Sequence, residues 1–153
     1  MNPQADTGLY DRDFFEWAQQ NAEILRRGCL HQADTEHIAE EIEGLAKQYQ
    51  HAVENRLVVL IMHLLKWKLQ PENRYSRSGR SSWLNTILEQ RDRLTQLLNT
   101  SPSLRPFAAR AVNRKYQRAV QRASAQTGIP IEQFPAECPF TFEQILDDNY
   151  LPS

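Results

Sequence analysis

From Asp34 to Gln70 the chain carries one uninterrupted helical pattern whose character changes halfway. Ile38, Ile42, Leu45, Tyr49, Ala52 and Val53 recur at helical spacing and form one apolar stripe, with Glu36, Glu40, Glu41 and Glu43 between them. From Leu57 the pattern becomes apolar nearly all round, through Leu57-Val58-Val59-Leu60-Ile61-Met62 and on to His63-Leu64-Leu65-Lys66-Trp67. The first half reads as a solvated helix and the second as the centre of a core. Asp34 is placed to cap the helix, Glu36 complements its dipole, and Pro71 stops it because proline has no N–H to donate. A helix of this length spans about 50 Å. A compact domain of this chain length has a diameter of only about 40 Å. The helix must therefore kink, bend or project, most simply between Gly44 and His51; no proline or Gly-Asn turn follows Gly44 to reverse it.

The remaining pattern predicts shorter helices around this one. Phe14, Trp17, Ala18, Ile24 and Leu25 fall at helical spacing, so a first helix is expected over 11–27, capped by Asp11 and ended by Gly28, after a loose lead-in from Met1 to Leu9. A third helix runs from Ser81 or Ser82 through Asn99, burying Trp83, Ile87, Leu94, Leu97 and Leu98. A fourth starts with Ser101 as cap and Pro102 in the first helical position, and ends before Gly128. Its apolar side carries Phe107, Ala108, Val112, Tyr116, Ala119 and Ala123. In the proline-rich tail, Thr141 and Gln144 have capping-box spacing, so a short helix is expected over 142–147, docked by Phe140, Ile145, Leu146 and Tyr150. The fold class is all-α: one domain of about four main helices around a long central helix, plus a short C-terminal helix.

Composition narrows the class without naming an activity. The chain of 153 residues is long enough to build a core without staples, and its 41% hydrophobic and 24% charged residues are ordinary globular values. Cys29 and Cys138 form no Cys-x-x-Cys pair, which points to reduced thiols in a cytoplasmic protein. No signal peptide and no membrane-spanning run is visible, so a soluble protein is expected. The net charge of -1 conceals a partition. Residues 1–60 hold 5 Lys and Arg against 11 Asp and Glu, residues 61–127 hold 13 against 3, and the tail holds none against 5. Either the acidic ends fold onto the basic middle, which is the simpler reading, or the basic surface meets an anionic partner.

Two sets of residues merit a chemical reading. Glu36, Glu40 and Glu43 share one helix face, and His63 and Lys66 follow on the same helix. Carboxylates and histidine on bundle helices are the donors of di-metal sites. No Glu-x-x-His occurs here, however, and the twenty residues between Glu43 and His63 separate them by about 30 Å on a straight helix. A solvated acidic face and a core histidine are the simpler readings, so no metal and no cofactor is expected. The functional alternative for His63 is a buried base helped by Lys66. Secondly, Arg110, Arg114, Arg118 and Arg122 repeat every four residues, a stripe that Arg74, Arg77 and Arg80 could join to contact nucleic-acid phosphates. A pI near 6.4 and the lack of a nucleic-acid-binding motif count against that. No nucleophile elbow, phosphate-cradling loop or dinucleotide fingerprint is present.

Several short motifs in order carry a family resemblance. They are Tyr10-Asp11-Arg12-Asp13-Phe14-Phe15-Glu16-Trp17, Ala39-Glu40-Glu41-Ile42-Glu43, His63-Leu64-Leu65-Lys66-Trp67, Ser82-Trp83, Glu89-Gln90-Arg91, Pro102-Ser103-Leu104, and Cys138-Pro139-Phe140 leading to Ile145-Leu146-Asp147-Asp148. Through them the chain resembles the uncharacterised bacterial family known as domain of unknown function twenty-nine. The resemblance covers nearly the whole chain and implies an all-helical protein; it assigns no activity and no functional residue. The leading expectation is a non-enzymatic helical module that binds protein, including a second copy of itself. A metal-binding or enzymatic bundle using Glu40, Glu43 and His63 is the alternative, and a nucleic-acid binder using the arginine stripe is the third.

Overall fold

The structure is a computed structural model and describes residues 8–77 and 79–153. These residues form six α-helices and no strand: α1 (Leu9–Arg12), α2 (Phe14–Arg26), α3 (Thr35–Leu69), α4 (Ser82–Thr100), α5 (Leu104–Thr127) and α6 (Phe142–Leu146). Most of the expected lead-in, residues 1–7, lies outside the described residues, and Leu9 already begins α1. The chain groups into two compact units, Met1–Gln48 and Tyr49–Ser153, where the pattern reads as one domain.

The first unit contains α1, α2 and the start of α3. Asp13, rather than Asp11, caps α2: its Oδ1 accepts from the Glu16 N–H at 3.0 Å, and Asp11 is taken up in α1. Gly28 ends α2 with φ +74, and the amides of Gly28 and Cys29 donate back to the carbonyls of Leu25 and Ile24. This is the paired bonding a left-handed glycine permits at a helix end. A 3₁₀ turn, Leu30–Gln32, leads into α3. Among the described residues of this unit only Trp17, Asn21 and Asp34 are buried, while Phe14, Phe15, Leu25, Leu30, Ile42 and Leu45 stay largely exposed.

α3 is helical without interruption from Thr35 to Leu69, so the reversal that would have brought its two ends together does not occur. Its second half supplies the core of the second unit. Leu57, Leu60, Ile61, Leu64 and Leu65 are fully buried there, each contributing about 1.5–3 kcal/mol on leaving water. They pack with Ile87, Leu94 and Leu98 of α4, Ala108, Val112, Tyr116 and Ala123 of α5, and Phe140 and Ile145 of the tail. Trp83 and Leu97, expected to be buried, are only partly so.

The helix ends follow local chemistry. Ser81 Oγ accepts from the Leu84 N–H at 3.1 Å and opens α4. α5 begins two residues later than its Ser-Pro start suggests, because Pro106 has no N–H for the Pro102 carbonyl; that carbonyl takes the Arg105 N–H in a 3₁₀ turn instead. Gly128, φ +76, ends α5. Both halves of the Thr141/Gln144 capping box form at the head of α6, at 3.2 and 3.0 Å.

One core residue was invisible to pattern reading. Arg91 of α4 has no exposed surface. Its Nε donates to the Ile145 carbonyl at 2.8 Å, and one terminal nitrogen reaches the carbonyls of Tyr150 at 2.8 Å and Gln144 at 3.2 Å. It thus terminates α6 and ties the tail to the bundle.

Candidate functional site

The most highly connected polar cluster sits in the first unit, at the head of α3. Asp34 is buried there and accepts from both sides: from the Trp17 indole N–H at 3.0 Å, and from the His37 ring at 2.7 Å. Its own amide donates to Asn21 Oδ1 at 2.8 Å, and Asn21 in turn donates to the Trp17 carbonyl. Tyr10 stacks on the His37 ring at 4.0 Å and donates from its hydroxyl to Glu41 at 2.5 Å. Phe14 closes on Tyr10 and Trp17.

The electrostatics follow from these contacts. Burial pushes the Asp34 carboxyl up, but the hydrogen bonds from His37 and Trp17 outweigh it and hold the group below its ordinary value. The bond to Asp34 holds His37 above its ordinary value, against partial desolvation. The Glu41 hydrogen bond, with lesser help from desolvation and neighbouring acids, pushes Tyr10 up to about 12. The arrangement fixes one imidazole face against a carboxylate and knits α1, α2 and α3 together. The spacing Asp34-x-x-His37 at a helix start is the signal in the sequence that corresponds to it.

The residues singled out from the sequence separate. Glu36, Glu40 and Glu43 belong to the first unit, are exposed, and take part in no ion pair among the described residues. His63 and Lys66 belong to the second unit. The His63 Nδ1–H donates to the Val59 carbonyl at 2.8 Å. Burial holds this ring below its ordinary value, the Val59 bond opposing and the Lys66 charge reinforcing. Lys66 is 8% exposed; its Nζ donates to Gln126 Oε1 at 2.9 Å and lies 4.6 Å from the centre of the Trp83 ring. Burial lowers its pKa too. Among the described residues no three His, Cys, Asp or Glu side chains converge as a metal site.

The arginine stripe is exposed along α5, but its members differ. Arg114 pairs with Glu54 at 2.7 Å and lies over the Phe107 ring, and Lys115 shares Glu54 at 3.0 Å. Burial would raise Glu54, but the bonds from Arg114 and Lys115 bring it below its ordinary value. Arg110, Arg118 and Arg122 enter no ion pair among the described residues. Of the thiols, both free, Cys138 is held above its ordinary pKa by burial, the opposite of a nucleophile's tuning.

What the fold and these sites define is an all-helical protein with charged helix faces, one buried polar cluster, and no helix among the described residues long and apolar enough to cross a membrane. The chain belongs to the family described as Domain of unknown function DUF29, whose model matches residues 9–151. No curated protein and no solved structure matches it.

Proposed function

We propose that this protein is a non-enzymatic helical interaction module that pairs with a second copy of itself. The acidic face of α3 in one copy meets the arginine face of α5 in the other, and the contact is made twice around a two-fold axis. The observation that carries this is the first unit's α3 surface. Glu36, Glu40 and Glu43 share one exposed helix face and enter no ion pair among the described residues, while Ile42, 62% exposed, and Leu45, 56% exposed, stand on the opposite side of the same helix. A unit whose described residues bury only Trp17, Asn21 and Asp34 gains from them little of the core a free-standing module needs.

The choice of a second copy rests on charge. Residues 1–48 hold 4 Lys and Arg against 10 Asp and Glu, and residues 61–127 hold 13 against 3. Arg110, Arg118 and Arg122 are exposed and enter no ion pair among the described residues, which is the complement the three glutamates require. Each exposed ion pair is worth only about 0.2–1 kcal/mol, so the electrostatic part gives specificity and rate. Ile42 and Leu45, on the opposite side of α3, stay outside this contact.

Light scattering across a concentration series tests this. The protein should approach twice the chain mass, more weakly as salt rises. Glu40→Lys should shift towards the chain mass with unchanged helix content by circular dichroism. A wild-type protein that stays at the chain mass at high concentration and low salt overturns the reading.

A further inference from the structure

Between α3 and α4 the chain is strongly basic: from Lys66 to Ser82 it carries Lys66, Lys68, Arg74, Arg77 and Arg80 against Glu72 alone. The structure gives these cations different duties. Lys66 is in the core, and Lys68 donates to the Ser153 carbonyl. Arg74 is pinned: its Nε donates to the Trp67 carbonyl at 2.8 Å, a terminal nitrogen reaches the Pro152 carbonyl at 3.5 Å, and its guanidinium lies 5.2 Å from the Trp67 ring centre. Part of its charge serves the C-terminal end of α3. Arg80 has no such employment; its side chain enters no ion pair among the described residues. Its backbone is held by the Ser76 N–H at 2.8 Å, in a loop turned by Gly79 at φ +74.

Asn73, Arg74, Tyr75, Ser76, Arg80 and Ser82 line a cavity of about 450 Å³ here, with no carboxylate among the described residues of its wall. Ser82 is the first residue of α4, a nineteen-residue helix, so the positive end of its dipole faces this rim. The Leu84 and Asn85 amides are taken by Ser81, whereas those of Ser82 and Trp83 have no acceptor among the described residues. Beside the guanidiniums stands Tyr75, 53% exposed and edge-on to Trp67 at 5.6 Å. Two arginines, a hydroxyl and free helix amides suit a phosphate, and an exposed aromatic ring suits a base.

We infer that this cavity binds a nucleotide unit, its phosphate held by Arg74, Arg80 and Ser82 and its base stacked on Tyr75. The unit can be a free nucleotide or one residue of a single strand, since both offer the same phosphate and base. The site is separate from the arginine face of α5 and independent of self-association.

Calorimetric titration of the full chain at low salt, with inorganic phosphate, adenosine monophosphate and a short oligothymidylate, tests it. Adenosine monophosphate or the oligonucleotide should bind at least about tenfold more tightly than inorganic phosphate, because only they stack. Preference for the mononucleotide identifies a free nucleotide as the ligand, and preference for the oligonucleotide a strand. Arg80→Gln and Tyr75→Ala, both at exposed positions, should each weaken binding about tenfold with the thermal melt unchanged. Three results would each overturn the inference: no binding of either nucleotide probe, equal binding of inorganic phosphate, or wild-type binding by both variants. Glu40→Lys, which weakens self-association, should bind nucleotide normally.

Discussion

At the scale of single residues, two titratable groups tie separate segments of the chain together. Arg91 lies in the core without a carboxylate against it, and burial lowers its pKa while Asp148 and Asp147 pull it back. Its value to the molecule is the three carbonyls it satisfies, since each buried acceptor left without a donor costs about 1–3 kcal/mol. Arg91→Leu should therefore destabilise the protein by roughly 3 kcal/mol in urea unfolding and expose the tail to proteolysis. His37 is the other. It faces Asp34 and Tyr10 directly, with Glu40 and Asp11 adding to the negative field. Because its folded pKa is raised, its stabilising contribution is complete below the ordinary histidine value and disappears as pH rises through the folded value. Asp34, lowered, behaves oppositely: its contribution is complete above the ordinary carboxylate value and disappears as pH falls through the folded one. The cluster should be firmest in the mildly acidic range between the two. NMR titration should place His37 above 6.5, and Asp34→Asn should bring it down towards that value.

At the scale of elements, most of what the sequence pattern implied took shape because caps and stops are local. Thr141 with Gln144, Ser81, Gly28, Gly128 and Pro71 act within four residues of themselves, so their chemistry can be read without knowing the fold. Local signals decide less where two of them compete. Asp11 and Asp13 both suit a cap, and α1 takes the former. Pro102 and Pro106 both shape the start of α5, and the missing amide of the latter decides it. Arg91 and the burial of Asp34 against Trp17 were illegible for a different reason: the partner lies far along the chain or in another helix, and hydrophobic periodicity marks both residues as polar and exposed. Glycine gives a contrast that checks this local logic. Gly44 sits mid-helix with open space where a methyl group would stand, so Gly44→Ala should stabilise α3 by about 0.5–1 kcal/mol. Gly128 has φ +76, so Gly128→Ala should cost about 1 kcal/mol. Urea unfolding of the two variants should show these opposite signs.

At the scale of the whole molecule, the charge partition was legible from the first reading, but its use was not. Some of it is satisfied internally, as with Glu54 between Arg114 and Lys115. Among the described residues Glu36, Glu40 and Glu43 enter no ion pair, nor do Arg110, Arg118 and Arg122. These six residues define the proposed pairing, and they allow a test that simple loss of binding cannot mimic. One variant carries Glu36→Lys, Glu40→Lys and Glu43→Lys; the other carries Arg110→Glu, Arg118→Glu and Arg122→Glu. Each alone sets like charges against each other and should sediment as a monomer. Mixed in equal amounts, every contact again joins opposite charges, and sedimentation equilibrium should show a dimer containing one chain of each. A mixture that remains monomeric beside a dimeric wild type, or variants that dimerise alone as well as the wild type does, would contradict the account.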